Sequence, residues 1–196
     1  MQTIILASNN QNKVKEISDK VKQFNMKIIS QKEAGYDIEV EETGKTFEEN
    51  EILKAEAIYK ISGMPVISDD SGLEIDALNG EPGVYSSRYG GPNATVKDKI
   101  DKILNLLKDI EQDKRTARFK CDICYIDKKG EKHIFEGICE GKITKEPCGE
   151  SGFAYDPIFL YDTRTFAQMT MEEKNEISHR GKAINKLVEY ISKNSN

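Results

Sequence analysis

Short apolar runs and helical stripes alternate along the 196-residue chain. Residues 2–7, QTIILA, form a compact isoleucine-rich run and read as a buried strand. The polar SNNQNK follows. Val14, Ile17, Val21 and Phe24 then recur at helical spacing and predict an amphipathic helix. A second strand is expected from Met26 to Ile29. TFEENEILKAEAIYKISG predicts a helix from near Thr46, where Thr46 and Glu49 have the spacing of a capping box and Lys54 lies one turn beyond Asn50. Residues 64–68, MPVIS, read as a short buried strand, and the glycine-rich residues 74–91 as loop. A helix over 95–109 puts Ile100, Ile103, Leu104 and Leu107 on one face. The stretches 115–126 and 131–143 read as two long strands joined at Lys128-Lys129-Gly130. Thr170 with Glu173 marks another helix cap, and Ala183, Ile184, Leu187, Val188 and Ile191 line a terminal helix over 179–191. Strands alternating with helices predict an α/β fold with a mixed sheet.

Composition narrows the function classes. Apolar residues at 37% and charged residues at 32% give a soluble balance with enough material for a core. A formal charge of -5 argues against holding nucleic acid by bulk electrostatics, while leaving room for a local basic pocket. No stretch approaches the roughly 20 apolar residues of a membrane helix. The opening run is too short for a signal peptide, so a cytoplasmic protein that engages no membrane is the expectation. Cys121 and Cys124 have CxxC spacing, yet RTARFKCDICYI reads as a strand, where positions three apart face opposite ways. With Cys139 and Cys148 they are expected to be free thiols rather than a zinc site.

The candidate chemistry is anionic and phosphate-directed. Asp69-Asp70 sits at an expected strand end, where adjacent carboxylates are costly to bury without partners and a divalent cation is a natural one. In an extended chain the two point opposite ways, so only one need face a ligand. Glu39, Glu41 and Glu42 either complete that group or form a solvated acidic loop. Lys13 lies in the first turn after a strand–loop junction, where the amide groups of a starting helix suit an anion. Gly152-Phe153-Ala154-Tyr155-Asp156 offers close backbone approach, a ring to stack on a base and a carboxylate for its edge. His179, in Ser178-His179-Arg180-Gly181, falls near a helix start. There is no Walker A sequence, no GxGxxG and no GxSxG elbow.

Five segments together carry a resemblance: SNNQNK (8–13), EETGKTFEENEILKA (41–55), SDDSGLEIDALNGEPGVYSSRY (68–89), GFAYDPIF (152–159) and RTFAQMTMEEKNEISHRGKA (164–183). In this order and spacing the chain resembles the Ham1-like inosine/xanthosine triphosphate pyrophosphatases. The resemblance implies an elongated central mixed sheet flanked by helices, with two lobes and the active site in the cleft between them. Residues 1–196 then form one pyrophosphatase domain, in which about 115–145 belongs to a second lobe. It implies a homodimer that hydrolyses non-canonical purine nucleoside triphosphates (ITP, dITP, XTP) to the monophosphate and pyrophosphate with Mg²⁺. A nucleotide-binding regulatory module without catalysis is the alternative.

The resemblance also implies roles. Asp70 is the catalytic carboxylate and a metal ligand, with Glu41 as the second ligand and Glu42 as its register alternative. Ser8, Asn9, Asn10, Gln11, Asn12 and Lys13 form the opening substrate loop, and Ser71 is a further substrate contact. Phe153, Ala154, Tyr155 and Asp156 form the base loop, and Lys174, His179 and Arg180 add contacts. Asp69 and Lys54 support the centre, with Lys13, Lys54 and Lys174 expected near the phosphates. Four positions depart from the family pattern. Ser8-Asn9 replaces Thr-Gly, with Asn9 expected to tolerate a left-handed turn. Ala154 replaces a glycine, and its methyl group crowds the loop if positive φ is needed there. Glu51 replaces an alanine and is expected on an exposed helix face.

Overall fold

The computed structural model describes Gln2–Asn194; positions 1, 195 and 196 of the expected domain lie outside the described residues. The elements run β1 (Gln2–Leu6), α1 (Gln11–Val21), β2 (Met26–Ser30), α2 (Phe47–Ser62), β3 (Val66–Ile75), α3 (Val96–Leu106), β4 (Thr116–Ile126), β5 (Lys132–Ile143), β6 (Phe159–Tyr161), β7 (Arg164–Thr165), α4 (Met171–Ile177) and α5 (His179–Asn194). The strands form one sheet in the order β2-β1-β3-β4-β5-β6-β7. β1 pairs in parallel with β2 and β3, and β6 pairs antiparallel with β5 and β7, so the sheet is mixed. The α/β class read from the alternation is the one found.

Helix starts follow their caps. Thr46 accepts from the Glu49 amide at 3.1 Å. The Glu49 carboxylate reaches back to the Lys45 amide, one residue earlier than a capping box requires. Thr95 with Asp98 and Thr170 with Glu173 form complete boxes. α2 ends at Gly63, whose φ of 63° suits a residue without a Cβ.

The residues divide into two compact units. The first holds the chain up to Asp70, Cys121–Gly137 and the residues from Lys182 on. Ile4, Leu6, Ile67, Cys121 and Ile123 pack with Ile17 and Val21 of α1 and with Ala183, Ile184 and Leu187 of α5. Ile5, Val66, Cys124 and Ile126 pack instead with Ala55 and Ile58 of α2. Neighbouring strand residues part company because successive side chains leave opposite faces of a sheet. Cys121 and Cys124 obey the same rule, and all four cysteines are free thiols.

The second unit holds Ser71–Lys120 and Ile138–Gly181. Ile100, Ile103 and Leu107 pack there with Leu73, Ile75, Phe119, Phe159 and Phe166. The hairpin strands β4 and β5 contribute residues to both units.

Three expectations change. β3 does not end at Ser68 but runs through Asp69-Asp70-Ser71 to Ile75. Its polar centre breaks the apolar pattern, while Leu73 and Ile75 resume it as buried residues. β6 and β7, of three and two residues, are too short for any periodicity to reveal. Glu51, expected on an exposed helix face, is 0% exposed. Its neighbours across the sheet, rather than the composition of its own helix, bury it.

Candidate active site

In the first unit, the loop after β1 is organised by its own side chains. Asn10 caps α1, its Oδ1 accepting from the amides of Asn12 at 3.0 Å and Lys13 at 3.4 Å. Those first-turn donors, expected to be open to an anion, are therefore already engaged. Ser8 Oγ accepts from the Asn10 amide, and Asn9 Oδ1 accepts from the Lys32 amide. Asn9 is not among the described residues with positive φ, so the left-handed turn expected of it is not used. Gln11 and Asn12 open the helix with exposed side chains. Lys13 reaches from its first turn to Asp69 Oδ2 at 2.9 Å.

The extension of β3 sends its two aspartates to different partners. Asp69 meets Lys13 of α1, whereas Asp70 meets α2. Asn50 Nδ2 donates to Asp70 Oδ2 at 3.4 Å, and Lys54 Nζ lies 3.6 Å from Asp70 Oδ1. The expected spacing of Asn50 and Lys54, one turn apart, thus converges on a single carboxylate. Lys54 also donates to the Asp69 carbonyl and to Glu42 Oε1, both at 3.0 Å. Burial works against its charge, but the carboxylates of Asp70, Glu42 and Asp69 outweigh it and hold the ammonium above its ordinary pKa.

Asn50 does a second task. Its Oδ1 accepts from the Gly44 amide at 2.8 Å, and a Cβ on Gly44 would stand 2.6 Å from that oxygen. Glycine at position 44 lets the acidic segment close onto α2. In that segment Glu42 is the residue tied to Lys54, while Glu41 and Glu39 are exposed.

The second unit begins at Ser71, whose Oγ accepts from Arg180 Nη2 at 3.2 Å. The Gly152–Asp156 loop turns about one buried carboxylate. Asp156 Oδ2 accepts from the Phe153 amide and from Lys174 Nζ, both at 2.5 Å. A Cβ on Gly152, at φ 96°, would stand 2.5 Å from the same oxygen. Lys174, expected near phosphate, is thereby fixed on the Gly152–Asp156 loop. Ala154 sits at φ 53°, the left-handed conformation that favours glycine. Phe153 is 76% exposed. Tyr155 is instead a core residue whose hydroxyl donates to the Ser86 carbonyl at 2.7 Å, and burial pushes its pKa up to about 12.

α4 hands over to α5 at Ser178, whose Oγ accepts from the Gly181 amide. His179 is stacked on Phe119, with ring centroids 4.8 Å apart and planes 13° apart. Arg180 follows it toward Ser71. The structure thus gathers Lys13, Lys54, Asp69, Asp70 and Glu42 in one unit and Ser71, Phe153, Asp156, Lys174, His179 and Arg180 in the other. Sequence reading missed Asn50 as a functional side chain. Its signal was the i, i+4 spacing to Lys54, which places both on one helix face.

The strand-borne aspartate and the lysine-clamped acidic segment of the first unit, and the carboxylate-centred glycine loop of the second, are carried by an α/β protein with a mixed sheet. The Ham1 family pattern matches residues 4–190, and the chain belongs to that family. The dITP/XTP pyrophosphatase of Clostridium perfringens is 49% identical over 195 residues, spanning 95% of this chain and 96% of that protein. The solved Ham1 protein of Staphylococcus aureus superposes with a TM-score of 0.93 at 43% identity, over 98% of this chain and 99% of that one. That of Coxiella burnetii gives 0.93 at 42%, over 98% of this chain and 100% of the other.

Proposed function

We propose that this chain hydrolyses non-canonical purine nucleoside triphosphates, ITP, dITP and XTP, to the monophosphate and pyrophosphate, removing them from the nucleotide pool. Membership of the Ham1 family supports an enzyme of this class, and relatives named dITP/XTP pyrophosphatase support the substrate. The observation that carries the mechanism is the convergence of Asn50 and Lys54 on Asp70. It holds the Asp70 carboxylate, 16% exposed in its side chain, in one orientation, which supports the catalytic role that the resemblance implies for it.

In this reading water attacks the α-phosphorus. Asp70 orients the water and takes its proton, and pyrophosphate leaves. Lys13 and Lys54 balance the growing charge on the phosphate oxygens. Asp69 keeps Lys13 aimed, and the Asn10 side chain keeps the first turn of α1 fixed behind it. Asp70 and the exposed Glu41 would hold Mg²⁺ through hard carboxylate oxygens, while Glu42 is engaged by Lys54. When bound, the ion supplies neutralisation of phosphate charge.

The second unit addresses the base. The open Phe153 ring gives a stacking face, and Asp156 with Lys174 sets the loop that presents it. Arg180, oriented through Ser71, offers donors to the C6 oxygen of hypoxanthine or xanthine, where adenine has an amine. Leaving buried polar groups unpaired costs about 1–3 kcal/mol each, so two mismatches give roughly a hundredfold discrimination against ATP. His179 supports that end of α5. A homodimer and a cytoplasmic location belong to the same reading. Among the described residues no helix is long and apolar enough to cross a membrane.

Product analysis with ITP, XTP, dITP, ATP and GTP, with and without Mg²⁺, tests this. Pyrophosphate and monophosphate should appear from the first three, only with the cation. Orthophosphate as the product would overturn the assigned bond. A non-catalytic nucleotide-binding module would give no product and is not favoured by the relatives.

A further inference from the structure

Among the departures from the family pattern named above, Glu51 lands in the interior. It has 0% of its surface exposed, and neither carboxyl oxygen has a hydrogen-bond partner among the described residues. Its backbone carbonyl accepts from Ser68 Oγ at 2.6 Å, which pins this turn of α2 against β3. The charged groups whose fields reach it are Asp122 of β4, Asp69 and Asp70 of β3, and Lys54 from the next turn of its own helix. The Cys124 thiol of β4 also feels its field.

That surrounding is hostile to a negative charge. Asp122, Asp69 and Asp70 all act against a negative charge on Glu51, and Lys54, which acts for one, is already shared by Glu42, the Asp69 carbonyl and Asp70. An unpartnered carboxylate in an interior of this kind keeps its proton, because the neutral acid costs far less to bury. Burial first, and then the field of Asp122, pushes the Glu51 carboxyl up to about 10.

Neutrality here has a consequence for the site. Glu51 and Lys54 are three residues apart on α2 and lie on neighbouring positions of one helix surface. An ionised Glu51 would be a new, unscreened partner for the ammonium that clamps Asp70. Resting on the pyrophosphatase reading, we propose that Glu51 is a positioning residue, a buried neutral acid whose lack of charge keeps Lys54 committed to Glu42 and Asp70. It touches no substrate; it acts through Lys54.

Two readouts separate this proposal from a merely structural role. Infrared difference spectra of wild type against Glu51→Gln, at mildly alkaline pH, should contain the carbonyl stretch of a protonated carboxylic acid that the variant lacks. Absence of that band overturns the proposal. The kcat/KM profile of the wild type should fall on its alkaline side as Glu51 ionises, and Glu51→Gln, neutral at every pH, should hold activity beyond that limb. Superimposable profiles overturn the positioning role. The side-chain NMR signal of Lys54, followed against pH in both proteins, reads the same coupling without turnover. It should shift with the ionisation in wild type and not in the variant; a signal that moves alike in both contradicts the proposal. The infrared and NMR results therefore stand even where the pyrophosphatase reading itself fails. Glu51→Ala supplies a second uncharged variant if the glutamine does not fold.

Discussion

The carboxylate-rich centre of the first unit and the glycine loop of the second, proposed to meet phosphate and base, are built on opposite plans. Around Asp70, support is distributed: Asn50 and Lys54 reach it from one helix, Lys13 holds its neighbour Asp69, and Glu42 shares Lys54. Around Gly152–Asp156, support is concentrated. One oxygen, Asp156 Oδ2, takes the Phe153 amide and Lys174 together. The loop also carries Ala154 in a left-handed conformation and a phenylalanine open to solvent. A centre that must keep several like charges in place needs many counter-contacts. The glycine loop is held at its root by Asp156 and left exposed at Phe153, as the proposed admission of a base requires. Substitutions should accordingly act on kcat in the first region and on KM, base choice and loop stability in the second.

The largest effect is expected at Asp70. Asp70→Asn keeps the shape and the Asn50 contact but removes the base, and kcat should fall by about 10²–10⁴-fold with the fold intact by circular dichroism. Full pyrophosphate release from that variant would break the comparison at its centre. Asp156→Ala comes next. It strands the Lys174 ammonium and the Phe153 amide, at a cost of about 3–5 kcal/mol for a pair so little exposed. Chemical denaturation should read that loss, and KM for ITP should rise more than kcat falls.

Asn50→Ala should sharpen the contrast, since it breaks two bonds of the distributed network and leaves the rest. A buried amide of this kind contributes about 1–3 kcal/mol, so kcat should drop by roughly ten- to a hundredfold with little change in base preference. A change in preference instead would merge the two regions' roles.

Glu51 gives the pH dependence. From its ordinary 4.5 up to about 10, the folded chain holds a proton that the unfolded chain has lost. Wild-type stability should therefore fall as pH rises across that window, relative to Glu51→Gln, by at most ~1.4 kcal/mol per pH unit. Urea unfolding of both proteins at several pH values measures the difference, and parallel curves would contradict it. The smallest effect belongs to Ala154. Ala154→Gly relieves a left-handed alanine and should stabilise by about 1 kcal/mol, raising Tm by roughly 2–4 °C. A fall in Tm would show that the conformation at 154 is not under strain.

What could be read from sequence divides along the range of the forces involved. α3 and α5 were legible from their apolar stripes and α4 from its cap, Thr170 with Glu173, because both signals are local. The opposite facing of Asp69 and Asp70 followed from strand geometry alone. The length of β3 did not, because its polar centre is stabilised by Lys13, Asn50 and Lys54, which come from elsewhere in the chain. Glu51 was misplaced for the same reason: its helix opens with the exposed Glu48 and Glu49, and only its place against β3 and β4 makes it interior. Lys174 was legible as a site residue, but its attachment to Asp156 depends on a fold that returns the chain across 18 residues.

The central claim is attack at the α-phosphorus by a water that Asp70 orients. Hydrolysis of ITP in water enriched in heavy oxygen, followed by mass spectrometry of both products, tests it most directly. The label should appear in the monophosphate and be absent from pyrophosphate. Label in the pyrophosphate, or release of orthophosphate with a diphosphate left behind, would contradict it.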